Sequence, residues 1–207
     1  MESITGRLLT RCFGRPSGPL GRIGGRLMAR GNAAAERHAV ALAAPAEQDV
    51  VLVIGPGPGV GLGAAAQRSA HVVGVDPSDV MLAMARRRCA PLIRRGRLRL
   101  SPGTAARTGQ PDASVDVVIS VNNLQLWPDV PAALAELHRV LRPGGRLLLS
   151  THHKWLPAGL PALAALVGAA GFDSVRTWTW DPPTRMAPTA AQLSAVRAGR
   201  PPRGATE

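Results

Sequence analysis

Residues 50–59 read Val-Val-Leu-Val-Ile-Gly-Pro-Gly-Pro-Gly, an unbroken apolar run followed at once by three glycines. A short β-branched run without polar residues predicts a strand covered on both faces, as in a parallel sheet. Glycines after such a strand let the backbone turn sharply and approach a ligand with no Cβ in the way. A helix predicted over 60–69 would place its free N–H groups beside this loop. The stretch therefore predicts a strand–loop–helix unit whose glycines either bind a ligand or serve only the geometry of the turn.

The same alternation of strand and helix continues along the chain. Further strands are predicted at 71–76, 97–101, 115–121 and 146–150, and further helices at 33–44, 78–89, 131–141 and 160–170. Strands that alternate with helices through short linkers indicate right-handed βαβ units, which build a parallel sheet with helices on both faces. Residues 172–180 and 192–198 predict a closing hairpin. The predicted fold class is doubly wound α/β.

A second ligand signal stands at the end of the second strand, where Asp76 follows an apolar run. In this architecture an acid at that position accepts hydrogen bonds from the two hydroxyls of a bound ribose. The alternative is a capping Asp before Pro77 and Ser78. The dinucleotide fingerprint G-x-G-x-x-G fails here, because its last position falls on Val60 or Leu62. That failure speaks against a nicotinamide-dependent oxidoreductase.

Composition limits the classes of protein that remain. The chain has 207 residues with 45% apolar content, which suits one domain with a real core. No run of 18 uncharged apolar residues is present, so we expect no membrane span. Cys12 and Cys89 lie far apart without CxxC spacing, so we expect no disulfide framework and no zinc or other metal site. A reducing, cytoplasmic location fits best.

The basic charge of the chain raises the question of nucleic-acid binding. The formal net charge is +12, and residues 81–110 contain eight arginines and no acid. This run is either a solvated surface or a surface that attracts an acidic substrate or partner. Nucleic-acid binders usually interleave aromatic residues with basic ones for stacking. With only 3% aromatic residues, the sequence does not favour a nucleic-acid partner.

Four stretches together resemble, in order and spacing, the successive motifs of class I S-adenosylmethionine-dependent methyltransferases. They are VVLVIGPGPGVGL (50–62), VVGVDPSDVMLAMARRR (72–88), PDASVDVVISVNNLQLWPD (111–129) and ALAELHRVLRPGGRLLLSTH (133–152). The LRPGG turn is particularly typical, and the four stretches look most like the small, single-domain bacterial kind. The resemblance implies a Rossmann-like, seven-stranded, mostly parallel sheet with an antiparallel C-terminal hairpin. It also implies S-adenosylmethionine as the cofactor and a methyltransferase domain over residues 46–200.

Roles for individual residues follow from that resemblance. It implies cofactor contacts at Gly55, Pro56, Gly57, Gly59, Asp76, Pro77, Met81, Thr104, Ala105 and Asn122. The glycines would wrap the methionine part, Asp76 would hold the ribose, and Pro77 with Met81 would pack on the adenine. Thr104 stands where relatives usually have an acid that binds the adenine amino group. Because a hydroxyl bonds more weakly than a carboxylate, we expect a lower cofactor affinity.

Acceptor and catalytic groups are expected beyond the carboxyl ends of the strands, where open α/β sheets bind ligands. The candidates are Trp127, His152, His153 and Trp155. The histidines are candidates for a general base, or else a packing or surface pair. The tryptophans could wall an acceptor pocket, and the alternative for Trp127 is a core contact. Asn32 is a further candidate substrate contact.

The chain ends lie outside the predicted sheet. We expect residues 1–45 to form an irregular and helical segment that lids the site, or else a helical appendage that covers the sheet. Residues 201–207 are expected to be a loose tail.

The sequence thus predicts direct methyl displacement to a small-molecule acceptor by a monomer or homodimer. An RNA methyltransferase that uses the arginine-rich surface, and a non-catalytic methyltransferase-like binding module, remain as alternatives.

Overall fold

The structure is a computed structural model that describes residues 29–156, 158–183 and 188–199. Cys12, most of the predicted lid segment 1–45 and the predicted tail 201–207 lie outside the described residues. No helix within the described ranges is long and apolar enough to span a bilayer.

Seven strands form one sheet, as predicted. They are β1 Val50–Ile54, β2 His71–Asp76, β3 Leu98–Pro102, β4 Val115–Val121, β5 Leu141–His152, β6 Phe172–Trp180 and β7 Ala190–Arg197. Their order across the sheet is β3-β2-β1-β4-β5-β7-β6. The first five strands are parallel, and β7 runs antiparallel to both β5 and β6. The mostly parallel sheet with an antiparallel hairpin is therefore confirmed.

Helices cover both faces of this sheet. They are α1 Ala33–Ala43, α2 Val60–Arg68, α3 Asp79–Arg88, α4 Ala90–Arg94, α5 Val130–Val140 and α6 Gly159–Ala169. Alternate residues of β1 point to opposite faces. Leu52 lies in the core formed with α5 and α6, whereas Val51 lies in the core formed with α1, α2 and α3. This division explains why the strand is apolar at every position, and it confirms the doubly wound arrangement.

The strand order reverses between β1 and β4. From β1 the chain builds outward through β2 to β3, and it then returns to place β4 on the other side of β1. The loops after β1 and β4 leave in different directions at this point, which opens a crevice at the carboxyl ends of the strands. The switch point therefore positions the glycine loop opposite the segment that follows β4.

The LRPGG segment differs from its predicted form. We expected a turn before a strand at 146–150, but β5 begins at Leu141 and carries the segment as an irregularity. Leu141 pairs with Val115 and Arg146 pairs with Val117, so extra residues bulge out of the ladder. A Cβ at Gly145 would lie 2.8 Å from the carbonyl oxygen of Arg142, so the bulge accepts only glycine there without a shift. Pairing with β4 on both sides of the bulge makes one long strand of the two parts.

Candidate active site

A cavity of about 400 Å³ lies at the carboxyl ends of β1, β2 and β4. Most of the residues singled out in the sequence line it. They are Asn32, Gly55, Gly57, Asp76, Pro77, Met81, Thr104, Ala105, Asn122 and Trp127. Residues from five separate stretches of the chain thus meet at the switch point of the sheet.

The three loop glycines have different surroundings, although all have positive φ angles. Gly57 faces open space, because no atom lies within 4 Å of the position that a Cβ would occupy there. A Cβ at Gly59 would instead lie 3.2 Å from Ala85 of α3, so this glycine lets two helices pack closely. Neither Gly59 nor Pro56 lines the cavity, whereas Pro58 does. The predicted contacts at Gly59 and Pro56 are therefore not supported by their placement.

Asp76 holds the loop in place from the end of β2. Its side chain is buried, Oδ1 accepts the N–H of Ser78 at 2.8 Å, and Oδ2 accepts the N–H of Gly57 at 3.2 Å. Burial raises the pKa of this carboxyl, and the two hydrogen bonds oppose the rise. A carboxylate has about four acceptor positions, so capacity remains for ligand hydroxyls. The helix cap itself is Ser78, which accepts the N–H of Met81.

Asn123 is a buried polar group that the sequence pattern did not single out. Its Nδ2 donates to the carbonyl oxygen of Ile54 at 2.6 Å. Its Oδ1 accepts from the Ser120 hydroxyl at 2.9 Å and from the indole N–H of Trp127 at 2.8 Å. Trp127 therefore packs against the core and also lines the cavity. The two roles considered for it, a core contact and a wall of the pocket, are compatible.

Asn122 occupies a left-handed backbone conformation, with φ of 55°. Its Nδ2 donates to Oδ1 of Asn32 at 3.0 Å, which connects the segment after β4 to the residue that precedes α1. Its own Oδ1 is buried and has no hydrogen-bond partner among the described residues. An acceptor held without a partner beside the cavity is positioned to receive a donor from a ligand.

Glu36 of α1 also lines the cavity and was missed in the sequence. It is only 9% exposed, and its Oε2 accepts the N–H of Gly61 at 2.5 Å. Burial raises the pKa of this carboxyl to about 7, although the Gly61 bond and the charges of Arg88 and Arg37 lower it. A signal did exist, because an acid at position 36 shares one helix face with the apolar residues Ala39, Val40 and Ala43.

A family model described as a methyltransferase domain matches residues 52–149. These residues, just under half of the chain, therefore carry a methyltransferase domain similar to those of the class I S-adenosylmethionine-dependent methyltransferases. S-adenosylmethionine is accordingly the cofactor expected for this domain.

Similar proteins agree with this assignment. The uncharacterized methyltransferase YdaC of Bacillus subtilis is 34% identical over 84 residues, which are 41% of this chain and 44% of that protein. The ubiquinone/menaquinone biosynthesis C-methyltransferase UbiE of Methylobacterium nodulans is 38% identical over 78 residues, 38% of this chain and 31% of that protein. A putative methyltransferase of Haloferax volcanii, solved with its Trm112 activator, has the same fold with a TM-score of 0.70 at 21% identity, over 84% of this chain and 93% of that one. The matches span less than half the length of the curated relatives.

The residues of the methyltransferase domain fit the cofactor. The open position at Gly57 leaves backbone surface accessible to a ligand, and the remaining acceptor capacity of Asp76 suits a pair of ribose hydroxyls. The buried side chains of Met81 and Ala105 give the cavity apolar wall, and the exposed residue Thr104 lines it as well.

The histidines and Trp155 lie beyond the cavity of the methyltransferase domain. His152 pairs with Ala190 of β7, and its ring packs edge-on against Trp155 with centroids 4.3 Å apart. His153 begins a short helical turn after β5. None of the three residues lines the cavity, because β5 continues two residues past the position where Ser150 pairs with β4. Burial, together with the charge of Lys154, lowers the pKa of His152. The placement does not favour a general base at either histidine.

Proposed function

We propose that this chain transfers the methyl group of S-adenosylmethionine to a small, largely apolar acceptor. The observation that supports it best is the buried carboxylate of Asp76, which braces the glycine loop and still faces the cavity with spare acceptor capacity. Cofactor contacts at Gly55, Gly57, Asp76, Pro77, Met81, Thr104, Ala105 and Asn122 belong to the same proposal.

The acceptor class is inferred from the remaining wall of the cavity. Leu126, Trp127, Pro128 and Ala133 follow β4 and present mostly apolar surface. Apolar walls with a few polar groups are typical of small-molecule sites. Relatives named for ubiquinone and menaquinone biosynthesis and for malonyl-[acyl-carrier protein] O-methylation support a small acceptor, which for this chain stays a proposal.

The protein's part in the reaction is alignment and exclusion of water. The cofactor supplies a methyl group already activated by a positively charged sulfur. Correct positioning of two reactants is worth roughly 7–11 kcal/mol of barrier. Asp76 would fix the ribose, and Asn122 would accept a hydrogen bond from a ligand at its unpartnered Oδ1. Trp127 would hold the acceptor molecule in position. An acceptor that carries no proton to lose needs no base, so the distance of His152 from the cavity is no obstacle.

We further propose that the described part of the N-terminal segment forms the roof of the cavity. The Asn32–Asn122 hydrogen bond and the Glu36–Gly61 hydrogen bond attach it on two sides. A stack of His38 on Trp180, with centroids 3.8 Å apart, attaches it to β6 as well. A roof fixed to three elements keeps water from the cofactor, which strengthens electrostatic interactions beneath it.

Calorimetric titration with S-adenosylmethionine and S-adenosylhomocysteine tests the proposal, with NAD as a ligand control. Asp76→Ala should abolish binding of both sulfur nucleosides, while Asp173→Ala, on the exposed edge strand β6, should leave it unchanged. NAD should not bind. Failure of the wild-type protein to bind either sulfur nucleoside would contradict the proposal.

Three arginines of the arginine-rich run lie away from the cavity and so do not favour an RNA substrate there. Arg94, Arg95 and Arg97 precede β3, so they lie at the amino ends of the parallel strands, opposite the cavity. Arg88 approaches the loop, but its Nε donates to the carbonyl oxygen of Pro58. A strong fall of RNA binding with salt, together with RNA methylation, would instead support the nucleic-acid alternative.

A further inference from the structure

Glu36 is a buried acid that the proposed reaction leaves without a role. Its carboxyl lines the cavity from α1, next to the glycine loop. Strand β1, which leads into that loop, contributes no acid of its own between Val50 and Ile54. A carboxyl group removed from water is costly unless it is paired or neutralised. The buried carboxyl of Glu36 therefore needs a partner.

The protein supplies only part of that partner. Oε2 accepts the N–H of Gly61 in the first turn of α2, where the helix dipole is positive. Oε1 accepts no hydrogen bond from any residue within the described ranges. The nearest cations are Arg88 of α3 and Arg37 of α1, and neither forms an ion pair with Glu36 among the described residues. One carboxylate oxygen thus remains available toward the cavity.

This arrangement also changes what the helix end can bind. The sequence predicted free N–H groups at the start of α2, which would attract an anion. In the structure Glu36 already satisfies the Gly61 N–H and places a carboxyl there. A second carboxylate at the same place would be repelled, because like charges at close range disfavour each other. The position beside Gly57, Pro58 and Glu36 suits a cation.

We propose that Glu36 receives the ammonium group of the methionine part of the cofactor through Oε1. The proposal rests on the proposed function, since it assumes that S-adenosylmethionine occupies this cavity. An ammonium carries three N–H donors and suits the free carboxylate oxygen, whereas a sulfonium offers no N–H. Glu36 is then a cofactor-binding residue contributed by the roof.

The proposal makes cofactor binding depend on pH. Without ligand, burial holds the pKa of Glu36 at about 7, against the lowering effect of Gly61, Arg88 and Arg37, and the buried Asp76 shares the cavity. A bound cation favours the charged carboxylate, so binding releases a proton and strengthens as pH rises through 7. Affinity should fall again at higher pH, where the ammonium group of the ligand loses its proton.

The test is calorimetric titration across pH with three nucleosides that differ in charge. S-adenosylmethionine and S-adenosylhomocysteine carry the ammonium group, and 5′-methylthioadenosine lacks it. Wild-type affinity for S-adenosylhomocysteine should rise roughly fivefold to tenfold from pH 6 to 7.5. Affinity for 5′-methylthioadenosine should rise much less. Titration in buffers of different ionisation enthalpy should show proton release at pH 7 for the first two ligands only.

Glu36→Gln is the decisive variant, because its amide oxygen can still accept the Gly61 N–H. This variant should weaken the binding of S-adenosylhomocysteine about tenfold or more at pH 7.5 and should flatten the dependence of that affinity on pH. The affinity for 5′-methylthioadenosine should not change. Glu47→Gln, at an exposed position, serves as the matched control. Equal weakening of all three ligands, or an unchanged pH profile, would overturn the role of Glu36. A wild-type protein that binds none of the three would overturn the proposed function as well.

Discussion

Gly55 and Gly57 lie two residues apart in one loop, yet a methyl group at each would meet different surroundings. At Gly55 it would lie 2.5 Å from Nδ2 of Asn123, the side chain that connects β1, β4 and Trp127. At Gly57 it would project into open space toward the cavity. Both positions have positive φ, so any side chain also strains the backbone.

Gly55→Ala should therefore destabilise the fold by about 3 kcal/mol, from backbone strain and displacement of a buried hydrogen-bonding amide. Gly57→Ala should cost only about 1–2 kcal/mol of stability and should weaken S-adenosylhomocysteine binding more than stability. Urea denaturation and calorimetric titration of the two variants check the contrast. Equal losses of stability would show that the Asn123 contact is unimportant.

At the scale of elements, α1 ends on an unfavourable residue. Ala44 follows the helix with φ of 43° and donates its N–H to the carbonyl oxygen of Val40. This left-handed position after a helix is where glycine is usually found. Ala41, exposed inside the same helix, has no such conformation.

Ala44→Gly should stabilise the protein by about 1 kcal/mol, because it removes left-handed strain. Ala41→Gly should destabilise it by about 1 kcal/mol, because glycine weakens a helix interior. Thermal and urea melts of the two variants should move in opposite directions. Ala41→Gly thus serves as the control for Ala44→Gly, since both replace alanine by glycine within three residues. Changes in stability of the same sign would refute the assigned helix end.

A second element-scale contact joins α5 to the loop that carries Thr104. Glu136 of α5 accepts the Thr108 N–H at 2.9 Å and its hydroxyl at 2.7 Å, and it also accepts from Arg139. Burial alone would raise the pKa of Glu136, but the hydrogen bonds from Arg139 and Thr108 lower it to about 2.

Glu136→Gln should lower the stability at pH 7 by about 1 kcal/mol, because it removes charge-assisted hydrogen bonds. A lowered pKa stabilises the fold above the ordinary value of 4.5, and this contribution is lost as pH falls toward 2. The gap in urea midpoint between wild type and variant should therefore narrow from pH 5 to pH 3. A gap that stays constant over that interval would contradict the assigned hydrogen bonds.

Across the whole molecule, the cavity draws on distant parts of the chain. Asn32 and Glu36 come from the roof, Gly57 and Asp76 from the first half of the sheet, and Trp127 from the segment after β4. The β6–β7 hairpin, over its described residues, contributes no lining residue.

Saturation with S-adenosylhomocysteine should therefore slow amide hydrogen exchange in several separate stretches at once. We expect protection at 33–40, 55–61, 76–82, 104–108 and 122–127, and little change at 172–180 beyond the stack of Trp180 on His38. Hydrogen-exchange mass spectrometry measures this pattern. Protection confined to the glycine loop would show that the roof does not respond to the cofactor.

Much of this molecule could be predicted from local sequence pattern. The features that could not be predicted were missed for physical reasons. The apolar runs at 50–54, 71–76 and 115–121 match β1, β2 and β4 in full, because strands buried on both faces tolerate few polar interruptions. Glu36 was missed because its partner Gly61 becomes a neighbour only when α1 packs on α2. The histidines were expected nearer the site because the length of β5 depends on pairing with β7, which no local pattern records.

The strand order has a consequence for synthesis on the ribosome. Strand β1 lies inside the sheet, and the N–H of Val50 donates to the carboxylate of Asp116, which lies 66 residues further along the chain. This hydrogen bond can form only after Asp116 has been synthesised. Until β4 emerges, the nascent β1–β2–β3 set exposes the unpaired edge of β1 and the apolar face that α5 and α6 later cover, which is the kind of surface that aggregates. The centre of this protein is therefore completed late, and a slow or stalled ribosome between β3 and β4 would leave the chain most dependent on chaperones.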